Sequence, residues 1–245
     1  MTIQEYFGDW SHIIDMAKAE RLMKHLISLS QPICPLPKDT FKAFHFCPLH
    51  NLKVIIIGQD PYPDIHRGIP TATGIAFGNS KETSEENYSP SLDVLKESVI
   101  DYTIPHGSIT FDPSLEKWEK QGVLMLNSAL SCFAGKPGSH ALMWRPFIKT
   151  LLLNLSLYDS GLVYVLMGAN AQSFEPYIYA KTNHIIKTRH PSWYARNHQK
   201  MPASLWRDIN KILIAHYGYG IEWYKEHKFI NEIKTNEEVL FAGHC

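Results

Sequence analysis

Four short runs of apolar residues are spaced along the chain, at positions 53–57, 123–126, 162–167 and 184–188. Each run is rich in isoleucine, valine or leucine and is followed by polar residues or glycine, a pattern typical of buried strands. The segments between and around them carry apolar residues at spacings of three and four, which predict helices over residues 10–30, 144–157 and 202–217. Strands that alternate with helices favour a parallel sheet, which is central, twisted and four-stranded here.

Every predicted strand is followed by a cluster of chemically useful residues. The four clusters are Gln59-Asp60, Asn127-Ser128, Gly168-Ala169-Asn170 and His190-Pro191-Ser192. The carboxyl ends of parallel strands meet at one edge of a sheet, and ligands of open α/β sheets bind there. The sequence therefore predicts a functional site at this edge.

The first cluster has an unusual arrangement of prolines. Asp60 precedes Pro61 and Tyr62 precedes Pro63, so both residues are restricted to extended backbone geometry. A carboxylate and a phenol are thereby held on a stiff loop. An ordinary polar turn after a core strand is the alternative interpretation.

Composition gives few constraints, and the distribution of charge gives more. The 245 residues are 44% hydrophobic, so a full core is expected. They carry 24 basic and 24 acidic side chains, so the net charge does not indicate a nucleic-acid partner. Residues 120–158 and 176–207 contain no acid but ten basic residues, which can form a basic face. Ordinary fluctuation in a mixed surface is the competing explanation.

The four cysteines have neither metal-ligand spacing nor the density of a disulfide framework, so we expect them to be reduced and structural. No apolar run is long enough to span a membrane, and the N-terminus lacks a signal pattern. We therefore expect a protein with no membrane partner, cytoplasmic in a bacterial or phage-infected cell and nuclear if the source is eukaryotic.

Six motifs follow one another along the chain. Residues 58–63 read GQDPYP, and the others are Gly74-Ile-Ala-Phe77, Pro90-Ser-Leu92, Trp118 to Asn127, Ser139-His140 and His190-Pro-Ser192. Together they resemble the main uracil-excising class of uracil-DNA glycosylases, in which the water-activating motif reads GQDPYH. The resemblance extends from about residue 53 to Trp223. It implies a single three-layer αβα domain over residues 1–223, with residues 224–245 as a C-terminal extension of unknown role.

The resemblance also implies an enzyme that flips uracil out of DNA and hydrolyses its N-glycosidic bond. Asp60 would position or deprotonate the attacking water and favour the cationic sugar, while a neutral His190 would hydrogen-bond the uracil O2. The amide of Asn127 would read O4 and N3–H, an edge that cytosine presents in reverse. Phe77 would stack on the base, Tyr62 would stand against C5, and the Gln59 backbone would surround O2. A core histidine, a core aromatic and a turn-capping asparagine are the structural alternatives.

Contacts to DNA are implied for a second set of residues. Ser91, Ser192 and the Gly168-Ala169 loop match the family's phosphate contacts. Trp193 and Tyr194 fall where the family places an apolar wedge, and Arg196 follows them with a charge that suits phosphates. The alternative is that both aromatic side chains pack against their own loop.

The chain departs from the family pattern in five ways. Proline replaces histidine at position 63, alanine replaces serine at 169, and the wedge is aromatic. The loop from Asp60 to Phe77 is about four residues longer than in the common bacterial form, and a tail follows Trp223. Asp60, Asn127 and His190 are all present, so an active enzyme is expected.

The expected partners are uracil-containing DNA, single- or double-stranded, and a protein inhibitor that mimics DNA; we expect a monomer with no cofactor and no metal. One alternative function is a DNA-binding or replication-accessory protein of the same fold with secondary or altered base-excision activity, as in poxviral relatives that also carry proline after the tyrosine. Another is an α/β enzyme for free nucleotides, which the absence of a Gly-x-x-x-x-Gly-Lys loop disfavours.

Overall fold

A computed structural model describes residues 3–103 and 107–227 of the chain. In chain order, its helices are α1 Ile3–Phe7, α2 Met16–Ser28, α3 Lys42–Phe46, α4 Pro90–Thr103, α5 Glu116–Glu119, α6 Ala141–Tyr158, α7 Ala169–Gln172, α8 Pro191–Arg196 and α9 Ser204–Tyr217. Its strands are β1 Ile33–Cys34, β2 Val54–Gly58, β3 Ile65–His66, β4 Ile69–Pro70, β5 Ser108–Thr110, β6 Val123–Asn127, β7 Cys132–Phe133, β8 Val163–Met167, β9 His184–Thr188 and β10 Lys225–His227.

The centre of the molecule is a four-stranded sheet in the order β6-β2-β8-β9. All three strand pairs are parallel. The four strands coincide, within one residue at each end, with the four apolar runs of the sequence. The prediction of a parallel α/β sheet is thus confirmed.

Two hydrophobic cores lie on opposite faces of this sheet because successive strand residues point to opposite sides. Ile55 and Ile57 pack with α6 and the N-terminal helices in one core, whereas Val54 and Ile56 pack with α4 and α9 in the other. All of these strand positions are fully buried, which explains their unbroken apolar character. The result is a three-layer αβα arrangement.

Some local predictions were wrong. The helix expected over residues 10–30 begins only at Met16, because the Asp15 carboxylate caps it by accepting a hydrogen bond from the Lys18 N–H at 2.9 Å. The 190s segment, interpreted as a loop, contains α8. The segment from Asp60 to Phe77, interpreted as a loop, contains an antiparallel hairpin of β3 and β4.

The C-terminal extension begins with a strand, since β10 pairs antiparallel with β5. Residues 228–245 lie outside the described part of the chain. Cys34 and Cys132 are cross-strand neighbours in the small β1–β7 sheet, and both are buried free thiols, as is Cys47. Within residues 3–103 and 107–227, none of the helices has the length and apolar character needed to cross a membrane.

Candidate active site

A cavity of about 360 Å³ opens at the carboxyl edge of the central sheet. Nine of the residues singled out from the sequence line it: Gln59, Asp60, Tyr62, Phe77, Ser91, Asn127, His190, Ser192 and Arg196. They come from five separate stretches of chain. The carboxyl ends of β2, β6 and β9 therefore converge on one concave space, whereas the cluster predicted after β8 lies outside its lining.

The floor of the cavity is built by the paired ends of β2 and β6, where Gly58 is the register partner of Asn127. The Ser128 hydroxyl donates to the Gln59 carbonyl at 2.7 Å, which fixes the turn after β2. A Cβ atom on Gly58 would lie only 2.7 Å from both Asn127 Oδ1 and Phe77 Cζ. Glycine is thus required here because the amide and the aromatic ring fill the space above it.

Asp60 stands at one side of the cavity and is held by the backbone of a distant loop. The Gly138 N–H donates to Asp60 Oδ2 at 2.5 Å. Burial raises the pKa of Asp60, and the hydrogen bond from Gly138 opposes part of that rise by favouring the carboxylate. The group is consequently a more basic carboxylate than a solvated aspartate, still with one oxygen uncommitted to Gly138.

His190 lines the same cavity, and its protonation state follows from geometry. The Ser192 backbone N–H, which can only donate, points at His190 Nδ1 at 3.2 Å, so that nitrogen is an acceptor. The ring is then neutral and carries its proton on Nε2. Burial, assisted by the Arg196 charge, lowers the pKa of His190 to about 4 and keeps the ring neutral at physiological pH.

Phe77 and Tyr62 close the cavity with aromatic surface. The Tyr62 hydroxyl donates to the Phe77 carbonyl at 3.0 Å, and the Phe77 ring lies 5.5 Å from the His190 ring, centroid to centroid. Phe77 adopts a left-handed backbone conformation with φ of 65°. Non-glycine residues rarely occupy that region, and such strain is concentrated at binding sites.

Asn127 is a buried polar residue that faces the cavity. Its side chain lines the cavity and the residue is only 9% exposed. Its amide forms no hydrogen bond with any residue in the two described ranges. A buried amide normally has partners, so this one is available to a ligand that supplies complementary donors and acceptors.

The residues implied as phosphate contacts divide into two groups. Ser91, in the first turn of α4, and Ser192, in the first turn of α8, line the cavity, as does the exposed Arg196. Gly168 and Ala169 lie outside its lining. Gly168 instead backs onto His190, where an added Cβ would meet the His190 Cβ at 2.9 Å, and Ala169 is exposed beside it.

The two aromatic residues expected as a wedge differ in this structure. Tyr194 is 8% exposed, packs in the core beneath α8, and its hydroxyl lies 3.2 Å from Thr188 Oγ1. In this structure helix α8 therefore turns the Tyr194 side chain inward, which fits the alternative interpretation of packing against its own segment, and its presentation to DNA stays a prediction. Trp193 remains half-buried, with the exposed Arg189 guanidinium stacked 3.8 Å from its ring.

Sequence reasoning missed parts of the wall. Thr40, Ala43 and Phe44 line the cavity from the segment before β2, and no local pattern marked them. Gly138, the donor to Asp60, lies in a loop that the neighbouring Ser139-His140 match had brought to attention. That loop is held in place by His140, whose Nδ1 lies 2.8 Å from the buried Ser131 hydroxyl.

A second, smaller cavity of about 40 Å³ adjoins the first and shares Gln59 and Asp60 with it. Its other walls include Ser128, Arg145 and Asn170. The space is polar and large enough for about one water molecule. No grouping of three His, Cys, Asp or Glu side chains suited to a metal ion occurs in residues 3–103 or 107–227.

The fold has close counterparts among solved structures. The mimivirus uracil-DNA glycosylase superposes with a TM-score of 0.74 at 24% identity, over 90% of this chain and 86% of that one. A variant of the mimivirus protein in complex with UGI gives 0.75 at 24% identity, over 91% and 88%. The enzyme from Nitratifractor salsuginis gives 0.59 at 22% identity, over 77% and 86%. At these identities the likeness establishes the fold.

Sequence comparisons establish the family. The uracil-DNA glycosylase of Streptococcus pyogenes serotype M4 is 31% identical over 223 residues, which are 91% of this chain and 93% of that protein. The serotype M18 protein is 32% identical over 90% and 92%. Residues 44–214 match the family model described as the uracil DNA glycosylase superfamily. This match spans the three strand ends that line the cavity, and the chain belongs to that superfamily.

Proposed function

We propose that this chain is a monofunctional DNA glycosylase that hydrolyses the N-glycosidic bond of uracil in DNA and leaves an abasic site for base excision repair. One observation carries the proposal: a carboxylate, an unpartnered amide and a neutral imidazole from three strand ends surround a single cavity. The family relationship and the shared name of its bacterial relatives agree with it.

The base-reading residues are assigned from the free groups of the cavity. Asn127 donates its NH2 to O4 and accepts from N3–H, which satisfies an amide that the protein leaves unpaired. Cytosine would place a donor against a donor and an acceptor against an acceptor, a mismatch that costs about 1–3 kcal/mol or more. Phe77 stacks on the ring, Tyr62 excludes a methyl group at C5, and the Gln59 backbone closes the pocket at O2.

The chemical step uses Asp60 and His190, which both line the cavity. As the C1′–N1 bond breaks, its electron pair moves into the uracil ring, and negative charge grows on O2. His190 Nε2–H donates to that oxygen, and the ring remains neutral because Nδ1 accepts from Ser192. Asp60 stabilises the cationic sugar, orients the water that forms the new C1′–O bond and takes its proton. The small cavity beside Asp60 is a place from which this water can come.

DNA binding is assigned to the rim of the cavity. Ser91, Ser192, Arg196 and the Gly168-Ala169 segment contact phosphates on either side of the flipped nucleotide. Trp193 is the side chain best placed to fill the space left in the helix, and Tyr194 could take part only after leaving the core. A DNA-mimicking inhibitor such as UGI, which is bound to the mimivirus variant, would compete for this face.

We assign residues 1–223 to one catalytic domain. Trp223 supports this boundary, because its carbonyl accepts a hydrogen bond from the buried Trp118 indole at 2.7 Å. A monomeric state and a cytoplasmic location complete the proposal.

The test is an excision assay on uracil-containing single- and double-stranded oligonucleotides, followed by cleavage at abasic sites. Thymine- and cytosine-containing strands serve as controls, and a chelator is present throughout. Release of uracil alone supports the proposal. Tight DNA binding without base release would favour the accessory-protein alternative, and loss of activity with chelator would contradict metal-free hydrolysis.

A further inference from the structure

A short hairpin projects from the segment that follows Pro63. Strands β3 and β4 pair through Ile65–Pro70 and His66–Ile69, and Arg67 and Gly68 form the turn. Both turn residues have positive φ, 50° and 81°, as two-residue hairpin turns of type I′ require. Glycine adopts this conformation readily, whereas it is sterically disfavoured for arginine. Arg67 is therefore a backbone outlier, and such outliers are concentrated at functional sites.

The hairpin is attached to the wall of the uracil cavity at both ends. Pro63 before it and Ala72 after it both line that cavity. Its base is fixed by the Thr71 N–H, which donates to the Asp64 carbonyl at 2.9 Å, and by the Gly135 N–H, which donates to the Pro63 carbonyl at 2.9 Å. A strand of DNA that delivers a base to the cavity must therefore pass near the hairpin.

The side chains at the tip of the hairpin are exposed to solvent. Ile69 is 70% exposed, and His66 and Arg67 are also exposed. Arg67 forms neither an ion pair nor a hydrogen bond with any residue in the described part of the chain. An isolated two-stranded hairpin is marginally stable, so exposed apolar and cationic side chains on one indicate a surface that is completed by binding.

We propose that this hairpin is an additional DNA-binding element, in which Arg67 contacts a phosphate of the uracil-bearing strand beyond the flipped nucleotide. The inference rests on the proposed excision function and deepens it. The exposed Ile69 adds apolar contact with the sugar or base at the same position. The partner is the substrate strand itself because the element is continuous with the cavity that receives the base.

Neighbouring charges set the path of that strand. A groove of about 530 Å³ separates the hairpin from residues 79–90, and it ends at Pro90, beside the cavity-lining Ser91. The segment 79–90 also contains Glu82, Glu85 and Glu86, which do not line the groove, and Glu85 pairs with Lys96. These carboxylates repel phosphates, so we expect the strand to cross the tip of the hairpin at Arg67 rather than to follow this acidic segment.

The first experiment uses single-stranded uracil oligonucleotides extended one nucleotide at a time on each side of the uracil. With the unaltered protein, we expect KM to fall about five- to tenfold at the length where the strand reaches the hairpin. R67N should lose this step, while kcat and the KM of the shortest substrates stay unchanged. Asparagine suits the left-handed turn better than arginine, so the hairpin keeps its shape and only the charge is removed.

Two further variants define the outcome. R67K should retain most of the decrease in KM, because it keeps the charge. K211A is the matched control, because Lys211 is an exposed cation at the amino edge of the sheet, beside His184. The salt dependence of binding to abasic duplex should become shallower by about 0.9 for R67N and stay unchanged for K211A. The inference would be overturned if the KM depended on oligonucleotide length in the same way for the unaltered protein and R67N. It would also be overturned if the protein self-associated and R67N abolished that self-association. Failure of the unaltered protein to release uracil would instead count against the excision function.

Discussion

The pocket and its rim, both needed to handle one nucleotide, are built in opposite ways. In the pocket, Asp60 is held at 2.5 Å by the backbone N–H of Gly138, from a distant loop, and His190 is held at 3.2 Å by the backbone N–H of Ser192, two residues further along the chain. At the rim, Arg196 and Arg67 are exposed side chains whose positions depend on what they bind. Groups fixed in advance stabilise charge without reorganisation, whereas long exposed cations supply attraction that is sensitive to salt. Pocket substitutions should therefore change the rate, and rim substitutions the affinity.

The largest effect is expected for D60N, which keeps the size of the side chain and removes its charge. The rate of uracil release under single-turnover conditions should fall about 10²- to 10⁴-fold, because water activation and cation stabilisation are both lost. The dissociation constant for DNA should change little. D208N, an exposed carboxylate on α9, is the control and should have an unaltered rate. A D60N protein with near-normal turnover would remove the basis of the pocket assignment.

Substitution of His190 should give the next largest effect. H190A removes the donor to O2 and should lower kcat about 10²- to 10³-fold, as loss of one donor to a developing anion does. Circular dichroism and DNA binding check that α8 survives without its N-terminal cap. If binding is lost as severely as turnover, His190 belongs to the rim as much as to the pocket.

Substitution of Arg196 tests whether a rim residue affects DNA affinity rather than the catalytic rate. R196A should weaken DNA binding about five- to tenfold at moderate salt and reduce the salt slope by about 0.9, with kcat preserved at saturating substrate. The Arg196 charge also contributes to the lowered pKa of His190, so the acid limb of kcat should move slightly upward in pH. A large loss of kcat at neutral pH would contradict the separation of the two regions.

The smallest effect is a dependence of stability on pH. The pKa of His190 is about 4 in the folded protein and near 6.5 when unfolded, so between these values the unfolded chain binds the additional proton. The contribution of His190 to the free energy of unfolding is therefore full above pH 6.5 and decreases as the pH falls toward 4. Urea denaturation at several pH values should show a weaker decrease for H190Q than for the unaltered protein. Parallel curves would mean that His190 is not held neutral by the fold.

The sheet could be predicted from the sequence because buried parallel strands consist of continuous apolar runs. Residues 54–58 and 163–167 have no exposed face, so nearly every position is apolar and their ends stand out. The same reasoning located Asp60, Asn127 and His190, since a residue at or just after the carboxyl end of a parallel strand lies at that edge of the sheet. Elements of this kind can be read directly from a single chain.

Other features depend on contacts that no local pattern records. The two-residue strands of the hairpin are too short for alternation to be visible, although Gly68 between two isoleucines was a signal for a turn. Helix α8 begins with Pro191 at a position typical of helix starts, but its cap is the side chain of His190, which is an unusual capping residue. The wall formed by Thr40 and Phe44 depends on tertiary packing alone.

The imidazole of His190 joins the two regions. One nitrogen holds the first turn of α8, and the other belongs to the ring edge that is free to meet the base. Because the ring is rigid, any tilt of that helix must swing the proton donor by the same angle. Under the proposed function, DNA binding through α8 and the orientation of the His190 donor toward the base are therefore coupled, so DNA bound in a wrong position would also misorient the donor.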